Sequence, residues 1–393
     1  MRTISAQIRG IGERTVMQTV NLADLKQRWS PDLRYLVSVS SPEERDQLSR
    51  LVNGGVTNLA MWVTQPQLLM DEIPSVEVPM GAIEEGDVVV AISHRERIQV
   101  PDRLSDEHHT VFLTNRCNSN CLMCSQPPTR QNDNWLIDEA KAIAAHMAAS
   151  PDIIGFTGGE PLLLGPRLVE VLHHFRQFHP NSHFEILTNG RLLGNGQQAR
   201  ALLEGLTPRV TWMVPLYGHA DFLHDFVVQA NGAFEETVNG LLNLQAYRQS
   251  IQLRVVLIQP VLNILPALCE FIGNNLPFVT EVALMGCEPT GFALANPDLC
   301  QVDIFDWQDQ LEEGVARLEQ HAIPVILMNL PHCALPSKLW PLAAQSISDW
   351  KLSYVAECEG CECKEQCSGL FMWSNDVGRK PTKLRTIFGI EKS

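Results

Sequence analysis

The chain has 393 residues, of which 45% are hydrophobic and 19% charged, and its formal net charge at pH 7 is -15. This profile is typical of a folded globular protein with one large domain and a smaller one. Because nucleic-acid binders concentrate Lys and Arg, the acidic balance argues against nucleic acid as the main partner. We find no apolar stretch that reaches the roughly 20 residues of a membrane span and no secretory signal pattern. We therefore expect a cytoplasmic protein without a membrane anchor.

Residues 1–107 are predicted to form a small, separate β-rich module. Alternating apolar residues and turn signals predict two strands, a helix near residues 42–52 and a small antiparallel unit. The predicted strands are 35–39 and 59–63, and those of the antiparallel unit are 76–80, 88–92 and 98–100. Nothing in this segment assigns it a function.

From residue 110 the chain alternates short apolar strands with amphipathic helices, a pattern typical of a parallel sheet or barrel. The predicted strands are 111–114, 153–157, 184–188, 210–215, 252–258 and 281–285, with helices near 138–149, 165–177, 197–204, 234–248 and 265–274. Six such units predict an α/β fold with a partial (β/α)6 barrel over residues 108–300. A helix at 304–319 and a strand at 324–328 begin a cysteine-rich extension over residues 301–393.

Cys117, Cys121 and Cys124 follow directly on the first predicted barrel strand, which places them at the active-site rim of a β/α barrel. Three thiolates on so short a loop can hold three corners of an iron-sulfur cube and leave the fourth iron without a protein ligand. A zinc site is the alternative, but structural zinc sites use four ligands. The spacing therefore indicates an iron-sulfur cluster with one open iron.

A second loop, Gly158-Gly159-Glu160-Pro161, follows the second predicted strand. Paired glycines let the backbone approach a ligand closely, and the carboxylate of Glu160 suits an ammonium group. Alone such a loop is an ordinary turn. One β/α unit after the three cysteines, it indicates a cofactor-binding loop.

Together, the two loops resemble those of the radical S-adenosylmethionine (SAM) superfamily, and the resemblance covers about residues 110–290. It implies that the three cysteines bind a [4Fe-4S] cluster and that residues 158–161 bind the methionine ammonium of SAM. It also implies that one electron from the reduced cluster cleaves SAM into a 5'-deoxyadenosyl radical, which abstracts a substrate hydrogen. Met123 departs from the family, which has an aromatic residue there, so we infer no stacking on adenine from it.

Two further residues follow from this resemblance. Asn189 lies in a Thr-Asn-Gly turn after the third strand, which matches a turn near the bound nucleoside; an ordinary turn is the alternative. Arg254 is a charge within an otherwise apolar strand and therefore needs a partner. The cofactor's carboxylate is one such partner, and an outward-facing arginine on a strand edge is the competing interpretation.

The extension contains four cysteines that suffice to close a second cluster: Cys333, Cys358, Cys361 and Cys367. Cys363 would be a spare. This set resembles the auxiliary-cluster extension of radical enzymes that modify ribosomally made peptides, and we predict an auxiliary [4Fe-4S] cluster. A zinc knuckle and redox-active thiols are the alternatives.

The remaining cysteines are Cys269, Cys287 and Cys300. Cys269 and Cys300 are predicted to be small buried hydrophobic residues. Cys287 follows the sixth strand at the barrel rim, where its thiol is a candidate hydrogen donor to a product radical. The neighbouring Glu288 is a candidate substrate contact, with a plain loop carboxylate as the alternative.

Local motifs narrow the resemblance to the His-Xaa-Ser system radical SAM maturase of the C type, over about residues 80–375. They are the segments 121–128 (CLMCSQPP), 284–286 (LMG) with Glu288 and Gly291, and 346–351 (SISDWK), together with the spacing of the tail cysteines. This resemblance implies a precursor peptide with His-Xaa-Ser repeats, a partner radical SAM enzyme and an external one-electron donor. The rival hypotheses are a non-catalytic iron-sulfur accessory protein, and a radical SAM enzyme that acts on a small metabolite or on RNA.

Overall fold

The structure is a computed structural model that describes residues 2–106, 108–204, 206, 210–345, 351–375, 381 and 383–388. The chain divides into two compact units. The first unit contains residues 1–112, 134–155 and 170–182, and the second contains residues 113–133, 156–169 and 183–393. The three-part division expected at residues 107 and 300 stays a prediction.

An eight-stranded mixed sheet forms the first unit, in the order β1-β8-β7-β3-β4-β5-β6-β2. Its strands are β1 (Arg2–Ser5), β2 (Gln7–Arg9), β3 (Thr15–Val20), β4 (Tyr35–Ser38), β5 (Leu59–Val63), β6 (Ser75–Glu77), β7 (Val88–Ile92) and β8 (Arg97–Asp102). Strands β3 to β6 pair in parallel, whereas β1, β8, β7 and β3 pair antiparallel. The predicted antiparallel unit is therefore correct for β7 and β8, but β6 joins the parallel half.

Two crossover helices explain this parallel half, because parallel neighbours need a helical connection. Helix α1 (Leu22–Arg28) joins β3 to β4, and α2 (Pro42–Asn53) joins β4 to β5. The side chain of Ser41 caps α2 by accepting a hydrogen bond from the Glu44 N–H, with Pro42 at the first helical position. Leu48 of α2 is fully buried in the core of this half of the sheet.

Helix α3 (Trp135–His146) also belongs to the first unit. The Arg14 guanidinium binds both oxygens of Glu139, with Nη2 2.9 Å from Oε1, and lies 4.1 Å from the centre of the Trp135 ring. Bidentate pairing and a cation-π contact together hold a long side chain in one conformation. Arg14 therefore fixes α3 against the segment between β2 and β3.

The second unit is built on a parallel sheet. Strands β9 (His109–Phe112) and β10 (Ile153–Thr157) precede β11 (His183–Leu187), β12 (Val210–Pro215), β13 (Ser250–Leu257), β14 (Glu281–Gly286), β15 (Val325–Met328) and β16 (Ala343–Ala344). Strands β11 to β16 lie wholly within the second unit, whereas β9 and most of β10 belong to the first unit. From β11 to β16 each strand pairs in parallel with the next along the chain. The predicted barrel-like parallel sheet is confirmed, and β15 and β16 extend it beyond the six predicted strands.

The helices of this part of the chain are α4 (Pro166–Phe178), α5 (Gly196–Leu203), α6 (Asp221–Val228), α7 (Ala233–Ala246), α8 (Gln259–Leu262), α9 (Leu265–Asn275), α10 (Phe292–Ala295), α11 (Pro297–Cys300) and α12 (Gln308–Gln320). Residues 170–182, in the second half of α4 and just beyond it, belong to the first unit. In the described parts of the chain, no helix has both the length and the apolar character that crossing a bilayer requires.

Alternation along β13 shows why its polar residues lie together. Ile251, Leu253, Val255 and Leu257 are fully buried, whereas the residues between them are partly accessible. Because successive strand residues point to opposite faces, Arg254 shares a face with Gln252 and lies away from the apolar face.

A buried ion pair lies at the end of β8 in the first unit. The Nδ1 atom of His109 is hydrogen-bonded to a carboxylate oxygen of Asp102. Burial alone lowers the pKa of His109, but the bond to Asp102 and the negative charges of Asp102 and Asp106 outweigh it. The pKa of His109 is therefore raised above its usual value.

We predict that this pair makes the stability of the first unit depend on pH. A histidine whose pKa is raised by folding adds stability below its unfolded pKa, and that stability is lost as the pH rises through the folded pKa. We therefore expect the parent to have a larger free energy of unfolding than a His109→Gln variant. The difference between the two proteins should be larger at about pH 6 than at about pH 8. Urea denaturation of both proteins at the two pH values tests this, and an equal difference at both would contradict it.

Candidate functional site

The three predicted cluster ligands lie on a loop that the end of α6 fixes in place. The backbone N–H of Asn120 donates to the Val228 carbonyl at 3.0 Å, and that of Leu122 donates to the Val227 carbonyl at 3.0 Å. A turn closes when Cys124 N–H donates to the Cys121 carbonyl at 3.0 Å. All three thiols are free and at least partly buried.

Burial makes the three thiols weak acids. It raises the pKa of Cys117 to about 11 and that of Cys121 to about 12, and it also raises the pKa of Cys124. The negative charge of Glu160 contributes to the raised pKa of Cys117, and the neighbouring thiols contribute to that of Cys121. Among the described residues, no group of three potential ligands is arranged to hold a single metal ion. The fit to an iron-sulfur cluster rests on three soft sulfur donors on one short loop.

The paired glycines bring the second loop against the residues that lead into Cys117. Gly159 N–H donates to the Thr114 carbonyl at 2.7 Å, and Glu160 N–H donates to the Arg116 carbonyl at 2.8 Å. A Cβ atom on Gly158 would lie 2.5 Å from the Thr114 carbonyl oxygen, and one on Gly159 would lie 2.3 Å from that of Arg116. Only glycine fits at these positions, and the close approach that it permits here is to the protein backbone.

Glu160 is fully buried, and its carboxylate connects two loops. Oε1 accepts hydrogen bonds from Leu162 N–H at 2.9 Å and from the Thr188 hydroxyl at 2.6 Å, while Oε2 accepts one from Asn189 N–H at 2.6 Å. Burial raises the pKa of this carboxyl, and the three donors oppose that rise. A carboxylate accepts about four hydrogen bonds, which leaves one for a ligand. The contact with the methionine ammonium stays a prediction.

Asn189 supports the cysteine loop from the end of β11. Its Nδ2 donates to Asn118 Oδ1 at 2.6 Å and lies 4.0 Å from the sulfur of Cys117. The neighbouring Arg191 donates from Nη1 to the hydroxyl of Ser119 at 3.0 Å. The structure therefore places Asn189 beside the predicted ligands. Sequence reasoning missed Asn118, Ser119 and Arg191, whose only signal was adjacency to the motifs.

The predicted cofactor contact Arg254 lies close to a second cation. Arg254 Nε donates to Gln252 Oε1 at 3.0 Å, and burial lowers its pKa. Lys351 Nζ lies 4.0 Å from Glu288 Oε2; burial lowers the pKa of Lys351, and the positive charge of Arg254 lowers it further. Positive charge in partly buried positions of this kind suits an anionic ligand. The role of Arg254 toward the cofactor's carboxylate stays a prediction.

Pro161 and Tyr217 are buried at the same site. Pro161 begins a short 3₁₀ helix, Pro161–Leu164, directly after Glu160. The phenol of Tyr217 is deeply buried. Burial raises the pKa of Tyr217 well above its usual value, and the charges of Cys121 and Cys287 add to the rise. Tyr217 is therefore a neutral side chain close to the cysteine loop.

The tail cysteines line one pocket. Its lining includes all five cysteines of the tail: Cys333, Cys358, Cys361, Cys363 and Cys367. The sulfur of Cys367 accepts backbone hydrogen bonds from His332 and Gly369, both at 3.4 Å. Cys363, expected to be a spare, is buried in this pocket, so which four sulfurs would hold a cluster stays a prediction. Of the SISDWK motif, residues 346–350 lie outside the described part of the chain.

Comparison with known proteins finds a family model that matches the segment containing the site. Residues 111–262 match the model of the Radical SAM superfamily. A curated protein from Methanocella arvoryzae, Probable GTP 3',8-cyclase, is 31% identical over 133 residues, which are 33% of this chain and 41% of that protein. The chain thus spans about two fifths of the length of this relative.

Two solved structures are similar to part of the chain. One is anSMEcpe with bound AdoMet and a Cp18Cys peptide, at 14% identity and a TM-score of 0.48 over 71% of this chain and 92% of that one. Another is a radical SAM methyltransferase from Sphaerobacter thermophilus, at 15% identity and a TM-score of 0.45 over 67% and 74% of the two chains.

We predict that Glu160→Gln weakens SAM binding while the cluster is retained. Removal of the charge weakens the bonds to Thr188 and Asn189 as well as any contact with an ammonium group. The loss of one charge-assisted bond should raise the Kd for SAM by about one to two orders of magnitude. Equilibrium dialysis and iron analysis measure the two effects. Glu204→Gln, at an exposed Arg200–Glu204 pair, is the matched control, and an unchanged Kd in Glu160→Gln would remove this role.

Proposed function

We propose that this radical SAM chain is an enzyme that reductively cleaves SAM at a [4Fe-4S] cluster held by Cys117, Cys121 and Cys124. The observation that carries the proposal is the contact between the cysteine loop and the Gly-Gly-Glu-Pro loop within the segment that matches the family. When bound, a cluster with one iron free of protein ligands supplies the electron that converts SAM into a 5'-deoxyadenosyl radical.

The chain's own residues position the reactants. Glu160 holds the turn that contains Asn189, and Asn189 with Arg191 holds the cysteine loop. Each bond is at least partly buried, so it is stronger than it would be in water. A fixed loop keeps the three sulfurs at the end of the sheet, and burial of Tyr217 limits water beside them.

We further propose that the substrate is a ribosomally made peptide of the His-Xaa-Ser type. The support is the resemblance in residues 121–128 and 284–286 and the five-cysteine pocket of the tail. This proposal includes a partner radical SAM enzyme and an external one-electron donor. The two cations Arg254 and Lys351 suit a carboxylate of either SAM or the peptide.

A small metabolite is the second candidate substrate. It is favoured by the 31% identity to Probable GTP 3',8-cyclase, a protein whose name contains a nucleotide. That likeness covers only 33% of this chain. GTP therefore belongs in the same assay as the peptide.

The test uses anaerobically reconstituted protein, SAM, a strong reductant and a peptide with His-Xaa-Ser repeats. We expect the parent to form 5'-deoxyadenosine and to change the mass of the peptide, because the radical abstracts a hydrogen from it. Cys121→Ala should lose both products, since two sulfurs hold the cluster poorly. Chromatography and mass spectrometry measure them.

Cys269→Ala is the control, because Cys269 is a buried cysteine on α9 and should keep both products. Parent-level 5'-deoxyadenosine from Cys121→Ala would contradict the enzyme assignment. Cleavage of SAM with consumption of GTP and an unchanged peptide would favour the second candidate. A parent that never cleaves SAM under these conditions would favour the accessory-protein hypothesis.

We also propose an auxiliary [4Fe-4S] cluster in the tail pocket, with Cys333, Cys358, Cys361 and Cys367 as ligands. A variant in which Cys117, Cys121 and Cys124 are all alanine should then stay brown and keep about half of the parent's iron. Mössbauer spectroscopy and metal analysis measure this. A colourless variant that contains zinc would contradict the auxiliary cluster and support a zinc knuckle.

A further inference from the structure

The side chain of Arg191 joins the cysteine loop to a carboxylate at the surface. Its Nη1 donates to the Asn118 carbonyl and, at 3.0 Å, to the Ser119 hydroxyl, and both of these residues belong to the cysteine loop. Its Nε donates to Glu236 Oε2 at 2.6 Å. Only 11% of the Arg191 side chain is exposed. A positive charge therefore lies against the loop in a position that largely excludes water.

The backbone around Arg191 holds this side chain in place. The Arg191 N–H donates to Asn189 Oδ1 at 3.1 Å. Helix α7 packs closely against the same turn, since a Cβ atom on Gly240 would lie 2.3 Å from the Gly190 carbonyl oxygen. Glu236 lies one helical turn before Gly240, on the same face of α7. The close packing of α7 thus keeps Glu236 beside Arg191.

The positive charge of Arg191 is only partly balanced. The side chain of its partner Glu236 is 48% exposed, and water screens an exposed carboxylate. By contrast, Arg116 pairs at 3.2 Å with Asp133, whose side chain is only 4% exposed. Burial raises the pKa of Cys121, and the positive charge of Arg191 opposes this rise. The field of Arg191 therefore reaches a predicted cluster ligand.

We propose that the positive charge of Arg191 raises the reduction potential of the cluster held by the three loop cysteines, and that Glu236 limits this effect. The inference rests on the proposed function, because it concerns the cluster that this loop is proposed to hold. One-electron reduction by the external donor adds one negative charge to the cluster. A nearby cation stabilises the reduced form more than the oxidised form, and a position that excludes water strengthens the interaction.

The experiment compares midpoint potentials in the full-length, cluster-loaded protein. Anaerobic redox titrations are followed by electron paramagnetic resonance, and the signal that changes when SAM is added identifies the cluster with an open iron. We expect Arg191→Gln to shift the potential of this cluster to a more negative value. Glu236→Gln should shift it to a more positive value, because it leaves the cation without a counter-charge. A variant with both changes should lie between the two single variants.

The opposite signs of these shifts separate an effect of charge from a structural one. If the pair acted only by holding the loop, both single variants would lose the same contact and shift the potential in the same direction. Arg191→Lys keeps the charge but lacks the guanidinium fork, so its potential should stay closer to that of the parent than the potential of Arg191→Gln does. Glu204→Gln, at the exposed Arg200–Glu204 pair, is the control and should match the parent.

Equal midpoint potentials in the parent, Arg191→Gln and Glu236→Gln would overturn the inference, and so would shifts of the same sign in both variants. Either result would leave the proposed function intact. If Arg191→Gln fails to hold the cluster, Glu236→Gln decides alone, and an unchanged or more negative potential then overturns the inference. A parent that binds no cluster would contradict both the inference and the proposed function.

Discussion

The geometry of the site depends on the hydrogen bonds that the buried carboxylate of Glu160 accepts. It accepts hydrogen bonds from its own loop and from Thr188 and Asn189 at the end of β11. Asn189 in turn bonds to the cysteine loop, and the backbone N–H groups of Gly159 and Glu160 donate to the carbonyls of Thr114 and Arg116, which lead into Cys117. One buried charge thus fixes three loops of the second unit, and an unpaired charge at that depth would be costly.

Sequence reasoning found the motifs because their chemistry is local. Three cysteines and a Gly-Gly-Glu-Pro loop within 45 residues specify donor types and spacing without knowledge of the fold. The parallel sheet was predictable for a similar reason, since apolar strands such as β10, β12 and β14 stand out between amphipathic helices. In the first unit, β1 and β2 were missed because short strands with alternating exposed residues resemble loops.

The sequence could not reveal contacts between residues that are distant from each other along the chain. The glycines were read as room for a ligand, whereas the structure places the Thr114 and Arg116 carbonyls there. Lys351 lies almost a hundred residues after Arg254, and nothing in either local pattern joins them. Short helices such as α10 and α11 were also missed, because they have too few residues to show a periodicity.

Burial of the cluster loop has a consequence for how the cofactor is loaded. With the pKa of Cys117 at about 11 and that of Cys121 at about 12, these thiols are protonated at physiological pH, but iron binds the thiolate. Binding of the proposed cluster would therefore expel a proton from each of these thiols, and the affinity for it would increase as the proton concentration falls. Assembly in this loop would then be a proton-exchange reaction as much as a metal-binding one, and the burial that makes it demanding also keeps the protonated thiols weak nucleophiles.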